Sequence, residues 1–148
     1  MALKHQIQED MLNAMKAHED VKVSALRMLK AAILKYEVSG ERKEATDQDV
    51  LTIIGKEIKS RRDSIEQFKA GNRMEMAENE EKEIAVLMAY MPPQMSEEEL
   101  KKVAKEVIAS MGATSKADLG KVMGAMMGKV KGLADGDIVS KVVKELLP

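Results

Sequence analysis

Apolar residues recur along this chain with the period of a helix and rarely with that of a strand. Leu3, Ile7, Met11 and Met15 step by four. Ala25, Leu26, Leu29, Ala32, Ile33 and Tyr36 trace the apolar stripe of a second helix. Gly40 opens a charged loop. Thr46, with Asp49 three residues on, reads as a capping-box start in which an acid stands where Glu or Gln is usual. The third helix carries Val50, Ile53, Ile54, Ile58, Ile65 and Phe68 and stops at Gly71. A fourth carries Ala77, Ile84, Leu87, Met88 and Met91, with an acidic first half that suits the helix dipole. Met91-Pro92-Pro93 ends it, because proline disfavours helix at the residue before it and has no N–H to donate.

Beyond the prolines the pattern resumes. Ser96 and Glu99 form a capping box ahead of Leu100, Val103, Ala104, Val107, Ile108 and Met111, and Gly112 suits the C-terminal cap. Ser115 with Asp118 starts the next helix, which runs through Leu119, Val122, Met123, Met126, Met127 and Val130 to Gly132. Asp135 caps the last, with Val139, Val142, Val143 and Leu146. The expected fold is all-α with two helical subdomains: four helices in residues 1–91, a Pro-Pro hinge at 92–95, and a three-helix bundle in 96–148.

Composition narrows the chemistry. The only aromatics are Tyr36, Phe68 and Tyr90, so the core of this 148-residue chain is aliphatic, with 13 Met to fill it. The absence of cysteine removes disulfides, thiolate metal sites and Cys nucleophiles. No run approaches the length of a membrane span. His5, Gln6, Gln8, Glu9 and Asp10 interrupt any apolar signal segment near the start, from which a cytoplasmic location is expected. A net charge of −1 gives no global basic field, so DNA is not expected as a partner, and any RNA contact has to come from local patches.

Three features break the amphipathic pattern. Arg61 lies seven residues from both Ile54 and Phe68, on the apolar stripe, where a guanidinium needs a carboxylate or must reach for water. Glu80 and Glu81 fill the equivalent gap between Ala77 and Ile84, so Arg61 reads either as half of a structural ion pair or as an anion site. Lys56, Lys59, Arg61 and Arg62 cluster, as do Arg27, Lys30 and Lys35; each run is a solvated face or a phosphate contact, without aromatics for base stacking. Gly120, Gly124, Gly128 and Gly132 recur every four residues. The first three fall inside a helix, at about 0.8–1 kcal/mol each relative to Ala. They lie opposite the apolar face with Lys121, Lys129 and Lys131 nearby, which fits close approach of a neighbouring helix or of a nucleic-acid backbone.

Catalytic equipment is not evident. His5 and His18 read as surface helix residues outside any metal motif, and neither a P-loop nor GxGxxG is present. Ser60 and Ser64 have no base arranged for them. No catalytic residue, metal ligand or cofactor is assigned.

Several stretches together resemble the GatB/YqeY family, specifically its stand-alone YqeY-like proteins. They are Arg61-x-Asp63-Ser64-Ile65, Glu83-Ile84 through Tyr90-Met91-Pro92-x-Gln94, Gly120-x-Val122-Met123 and Gly132-x-Ala134-Asp135-Gly136. The resemblance implies an all-helical protein of two subdomains, related to the tail of the B subunit of the tRNA-dependent amidotransferase. That enzyme is a carbon–nitrogen ligase with glutamine as amide donor. Its catalytic cradle and glutaminase lie in parts this chain lacks, so the resemblance carries over tRNA contact and not catalysis. Leu133 stands where the family commonly has Arg in Gly-Arg-Ala-Asp-Gly, which removes one potential phosphate contact. The leading expectation is a small non-catalytic module that binds tRNA or a tRNA-bound enzyme through Lys121, Gly124, Gly128, Lys129, Lys131 and Gly132, with Lys56, Arg61 and Arg62. The alternatives are a protein-interaction adaptor using Met74, Met76, Met126 and Met127 and, third, a participant in amide ligation.

Overall fold

A computed structural model of the chain describes residues 2–130 and 132–148. Among these it is all-helical: α1 (Leu3–Lys16), α2 (Asp20–Val38), α3 (Asp47–Ala70), α4 (Met74–Met88), α5 (Glu97–Met111), α6 (Leu119–Val130) and α7 (Gly136–Leu146). No helix is long and apolar enough to cross a membrane among the described residues. The chain forms two compact units that divide between Met91 and Pro92.

In the first unit Ile7 and Met11 of α1, Leu26, Leu29 and Ile33 of α2, Val50, Ile54 and Ile58 of α3 and Leu87 of α4 form one apolar cluster. The inner stripe of α1 turns from Met11 to Ala14, which is buried, and leaves Met15 45% exposed. Steps of four overshoot a 3.6-residue turn, so the fourth position of such a series drifts off the face. His18 sits in the turn before α2 with φ 56°, and not on a helix. No Gly or Pro marks that turn, and His is among the residues that tolerate a left-handed backbone.

The start of α3 is a full capping box. Asp49 N–H donates to Thr46 Oγ1 at 3.1 Å, and Thr46 N–H donates to Asp49 Oδ2 at 3.0 Å. That backbone donor holds the Asp49 carboxyl below the usual carboxylate range. Its contribution is therefore complete above that range and fades as pH falls through the lowered value. Thr46→Ala is expected to remove about 1 kcal/mol of stability, read as a lower denaturant midpoint with an unchanged slope.

The second unit packs Leu100, Ala104 and Val107 of α5 against Val122, Met126 and Val130 of α6 and Val139, Val142 and Val143 of α7. Ser96 Oγ accepts from Glu99 N–H at 3.2 Å, and Asp135 Oδ1 from Asp137 N–H at 2.8 Å. Gly112 takes φ 63°, which returns Ala113 N–H to the Ile108 carbonyl at 3.1 Å. Ser115 and Asp118 do not cap α6 directly. They frame a short 3-10 turn, Lys116–Asp118, with Thr114 N–H on Asp118 Oδ2 at 3.1 Å, and α6 starts at Leu119. The segment after Pro93 is tied to this unit. Gln94 Nε2 donates to the Gly132 carbonyl at 3.1 Å, and Met95 N–H donates to that of Leu133 at 2.8 Å.

Candidate functional site

The inner side of α6 is occupied by Val122, Met126 and Val130, all buried. Its outer side carries exposed Gly120, Gly124 and Gly128 together with exposed Lys121 and Lys129. A Cβ placed on any of the three glycines meets nothing within 4 Å, so among the described residues no neighbouring element of the second unit requires them to be glycine. Of the two readings open in the sequence, close packing by another helix of the same unit is removed among the described residues. Gly132 closes α6 with φ 80°, which accounts for that glycine locally. Lys131 lies outside the described residues.

The remaining cations of the expected site are on the first unit. Lys56 and Arg62 are exposed on α3. Arg61 is not available to a phosphate, because its side chain is only 5% exposed and already engaged. Its Nη1 donates to Glu80 Oε2 at 3.0 Å and to Glu83 Oε2 at 2.5 Å, and its Nη2 approaches Met28 Sδ at 3.4 Å. Arg61 is thus a structural ion pair between α3 and α4. Its buried partner is Glu83, while Glu81 faces outward to Lys69 at 3.5 Å. The methionines also separate: Met126 is fully buried and Met127 half-buried, whereas Met74 and Met76 are 50% and 45% exposed.

One basic feature escaped sequence reasoning. Lys116, Lys141 and Lys144 line an open hollow of about 690 Å³ with Asp137, Ser140, Glu145 and Leu147. Positions 137, 140, 141 and 144 share a helix face, which a helical projection of α7 could have shown. Lys116 joins them only through the fold. Among the described residues no group of three His, Asp or Glu side chains is placed to hold a metal ion.

Several residues that carry the family resemblance turn out to be joints. Arg61 meets Glu83 across α3 and α4. Tyr90 donates its phenol to Asp10 Oδ2 at 2.6 Å, and burial with that bond raises its ionisation above the usual tyrosine range. Gln94 closes on Gly132, and Asp135 caps α7. Leu133, in place of the family's Arg, is half-buried, with its N–H on the Val130 carbonyl at 2.8 Å. Among the glycines within α6, none has a packing role.

These features define a two-unit helical protein with structural joints at its motif residues and an uncovered glycine–lysine face. It belongs to the YqeY-like family: the family model described as Yqey-like protein matches residues 4–147. The chain is 30% identical over 144 residues to Altered inheritance of mitochondria protein 41, mitochondrial, of Pyrenophora tritici-repentis, covering 95% of this chain and 78% of that protein. It is 33% identical over 90 residues to an uncharacterised protein of Schizosaccharomyces pombe, covering 61% of this chain and 72% of the relative. It is 27% identical over 120 residues to the Saccharomyces cerevisiae protein of the same mitochondrial name, covering 78% and 65%. The mitochondrial names of the Pyrenophora and Saccharomyces relatives overturn the expectation of a cytoplasmic location. That expectation rested on a missing apolar signal segment, which bears only on secretion; mitochondrial targeting segments are amphipathic and Arg-rich, without such a core.

Proposed function

We propose that this chain is a small non-catalytic helical module that binds tRNA, or an enzyme carrying tRNA, through the outer face of α6. The observation that carries the reading is the exposed run Gly120, Gly124, Gly128 flanked by Lys121 and Lys129, with no packing partner among the described residues of the second unit. Glycine in a helix interior is costly, and an uncovered glycine face lets a phosphate backbone approach the helix more closely than any side chain would allow. Lysines beside it supply charge to phosphate oxygens without reading sequence. The hollow with Lys116, Lys141 and Lys144 adds basic surface to the same unit. Kinship with the amidotransferase tail agrees with this reading, and Leu133 and the nearly balanced charge point to modest, shape-driven affinity.

Fluorescence anisotropy of labelled tRNA against the full chain tests it. Binding is expected at low salt, weakening as salt rises. Lys121→Glu with Lys129→Glu should weaken it and reduce the salt slope by about 2, one for each phosphate left without its lysine. Absence of binding at low salt defeats the reading. The exposed Met74 and Met76 at the start of α4 favour a second reading, an adaptor for a protein partner. Capture of a protein by the wild-type chain that survives nuclease treatment, and is lost in Met74→Lys, supports it over RNA.

A further inference from the structure

Arg61 is the one buried cation among the described residues, and its hydrogen bonding is incomplete. Its Nη1 serves both Glu80 and Glu83, and its Nε is buried without a partner among those residues. Its Nη2 carries two hydrogens and meets no oxygen there. It rests on the thioether of Met28, at 3.4 Å. A thioether sulfur is a weak acceptor, so a charged donor in an apolar interior is poorly served by it. Met28 stands on α2 and is 53% exposed, within reach of solutes. Among the described residues it is the only exposed methionine whose sulfur bonds a charged group.

We propose that Met28 is a modification site. It is oxidised in place to the sulfoxide, whose oxygen then accepts from Arg61 Nη2 and ties α2 to the joint of α3 and α4. The oxidant is a hydroperoxide, of which hydrogen peroxide is the simplest. A sulfur lone pair attacks one peroxide oxygen, and the S–O bond forms as the O–O bond breaks. The departing hydroxide takes the proton of the transferred oxygen and leaves as water. Sulfur gives up two electrons and the peroxide gains them.

The new oxygen stands one bond from a sulfur already in contact with Nη2. Of the two sulfoxide epimers, the one that turns this oxygen toward the guanidinium makes the bond. Methionine oxidation ordinarily disrupts a fold, because it puts a polar group into an apolar setting. At Met28 the sign is reversed. The thioether is at the surface, and the change supplies an acceptor to a buried charge that lacks one. The inference does not depend on the α6 reading.

Hydrogen-exchange mass spectrometry on the full chain, before and after mild hydrogen peroxide treatment, tests it. Peptide masses show which methionines have gained oxygen. Amides of α2, and of α3 around Arg61, are expected to exchange roughly tenfold more slowly once Met28 is oxidised, as a weak bond to a buried charge gives way to a strong one. Met28→Leu keeps the apolar volume, cannot take up oxygen, and should show no such slowing under the same treatment. It also carries the effects of oxidising the other methionines, so the difference between the two chains belongs to Met28. Met28→Gln places an amide oxygen on a side chain of similar length and should slow exchange without peroxide. Methionine sulfoxide reductases of both epimer specificities should return the oxidised chain to its starting rates. Exchange in the oxidised wild type that is no slower than in oxidised Met28→Leu overturns the inference. So does a Met28 that stays unoxidised while Met74 and Met76 are converted.

Discussion

Arg61→Ala is expected to lower the stability of the first unit by about 3–5 kcal/mol, the range for removing one partner of a buried ion pair. The reason is what it leaves behind. Glu83 is 3% exposed, and its carboxylate would be stranded in an apolar interior without the guanidinium that now neutralises it. Glu80 is less buried and would recover water more easily. The methylene stem of Arg61 also packs within the stripe formed by Ile58 and Ile65, so part of the effect is apolar. Arg61→Met with Glu83→Leu should recover most of the stability, because replacing both charges by apolar groups removes the desolvation cost along with the attraction. Urea unfolding followed by circular dichroism on the two variants and the parent makes the comparison. A drop under about 1 kcal/mol for Arg61→Ala would mean that the pair is inert. Failure of the double variant to recover would mean that the pair supplies more than mutual neutralisation.

That pair also shows where a sequence is legible. The intrusion of Arg61 into an apolar stripe needs only its spacing from Ile54 and Phe68. Its partner is harder to read. At about 100° per residue Glu80, Glu83 and Leu87 crowd one arc of α4, and Glu81 falls roughly a quarter turn away. A gap between two apolar residues is therefore a poorer guide than the full helical projection. The caps at Thr46, Ser96 and Asp135 were legible because each bond closes within three residues. The bonds from Gln94 and Met95 to the turn at Gly132 and Leu133 join residues 38 apart in the chain, and no local pattern encodes them. Lys116 joins Lys141 and Lys144 for the same non-local reason. The glycine run could be assigned to the outer face of α6 from periodicity alone. Whether another helix covers that face is a property of how α5, α6 and α7 pack, and only the fold answers it.

Gly124→Ala with Gly128→Ala is expected to make the second unit more stable and less able to bind. Neither glycine has positive φ, and an added Cβ meets nothing within 4 Å at either position. The two methyl groups therefore enter free space while restricting the unfolded chain and favouring the helix. Together they should add about 1–2 kcal/mol. Gly120 lies at the start of α6, where helix propensity counts for less, so it is left in place. The same methyl groups stand where a phosphate backbone would contact the helix, and the affinity for tRNA should fall although Lys121 and Lys129 remain. Pairing denaturant unfolding with tRNA anisotropy on one sample separates the possible origins of the glycine run. Higher stability with weaker binding means that the bare face is kept for a visitor at the expense of the helix. Higher stability with unchanged binding means that the RNA contact lies elsewhere, with the Lys116, Lys141 and Lys144 hollow the next surface to alter. Lower stability would contradict the open geometry of α6 itself.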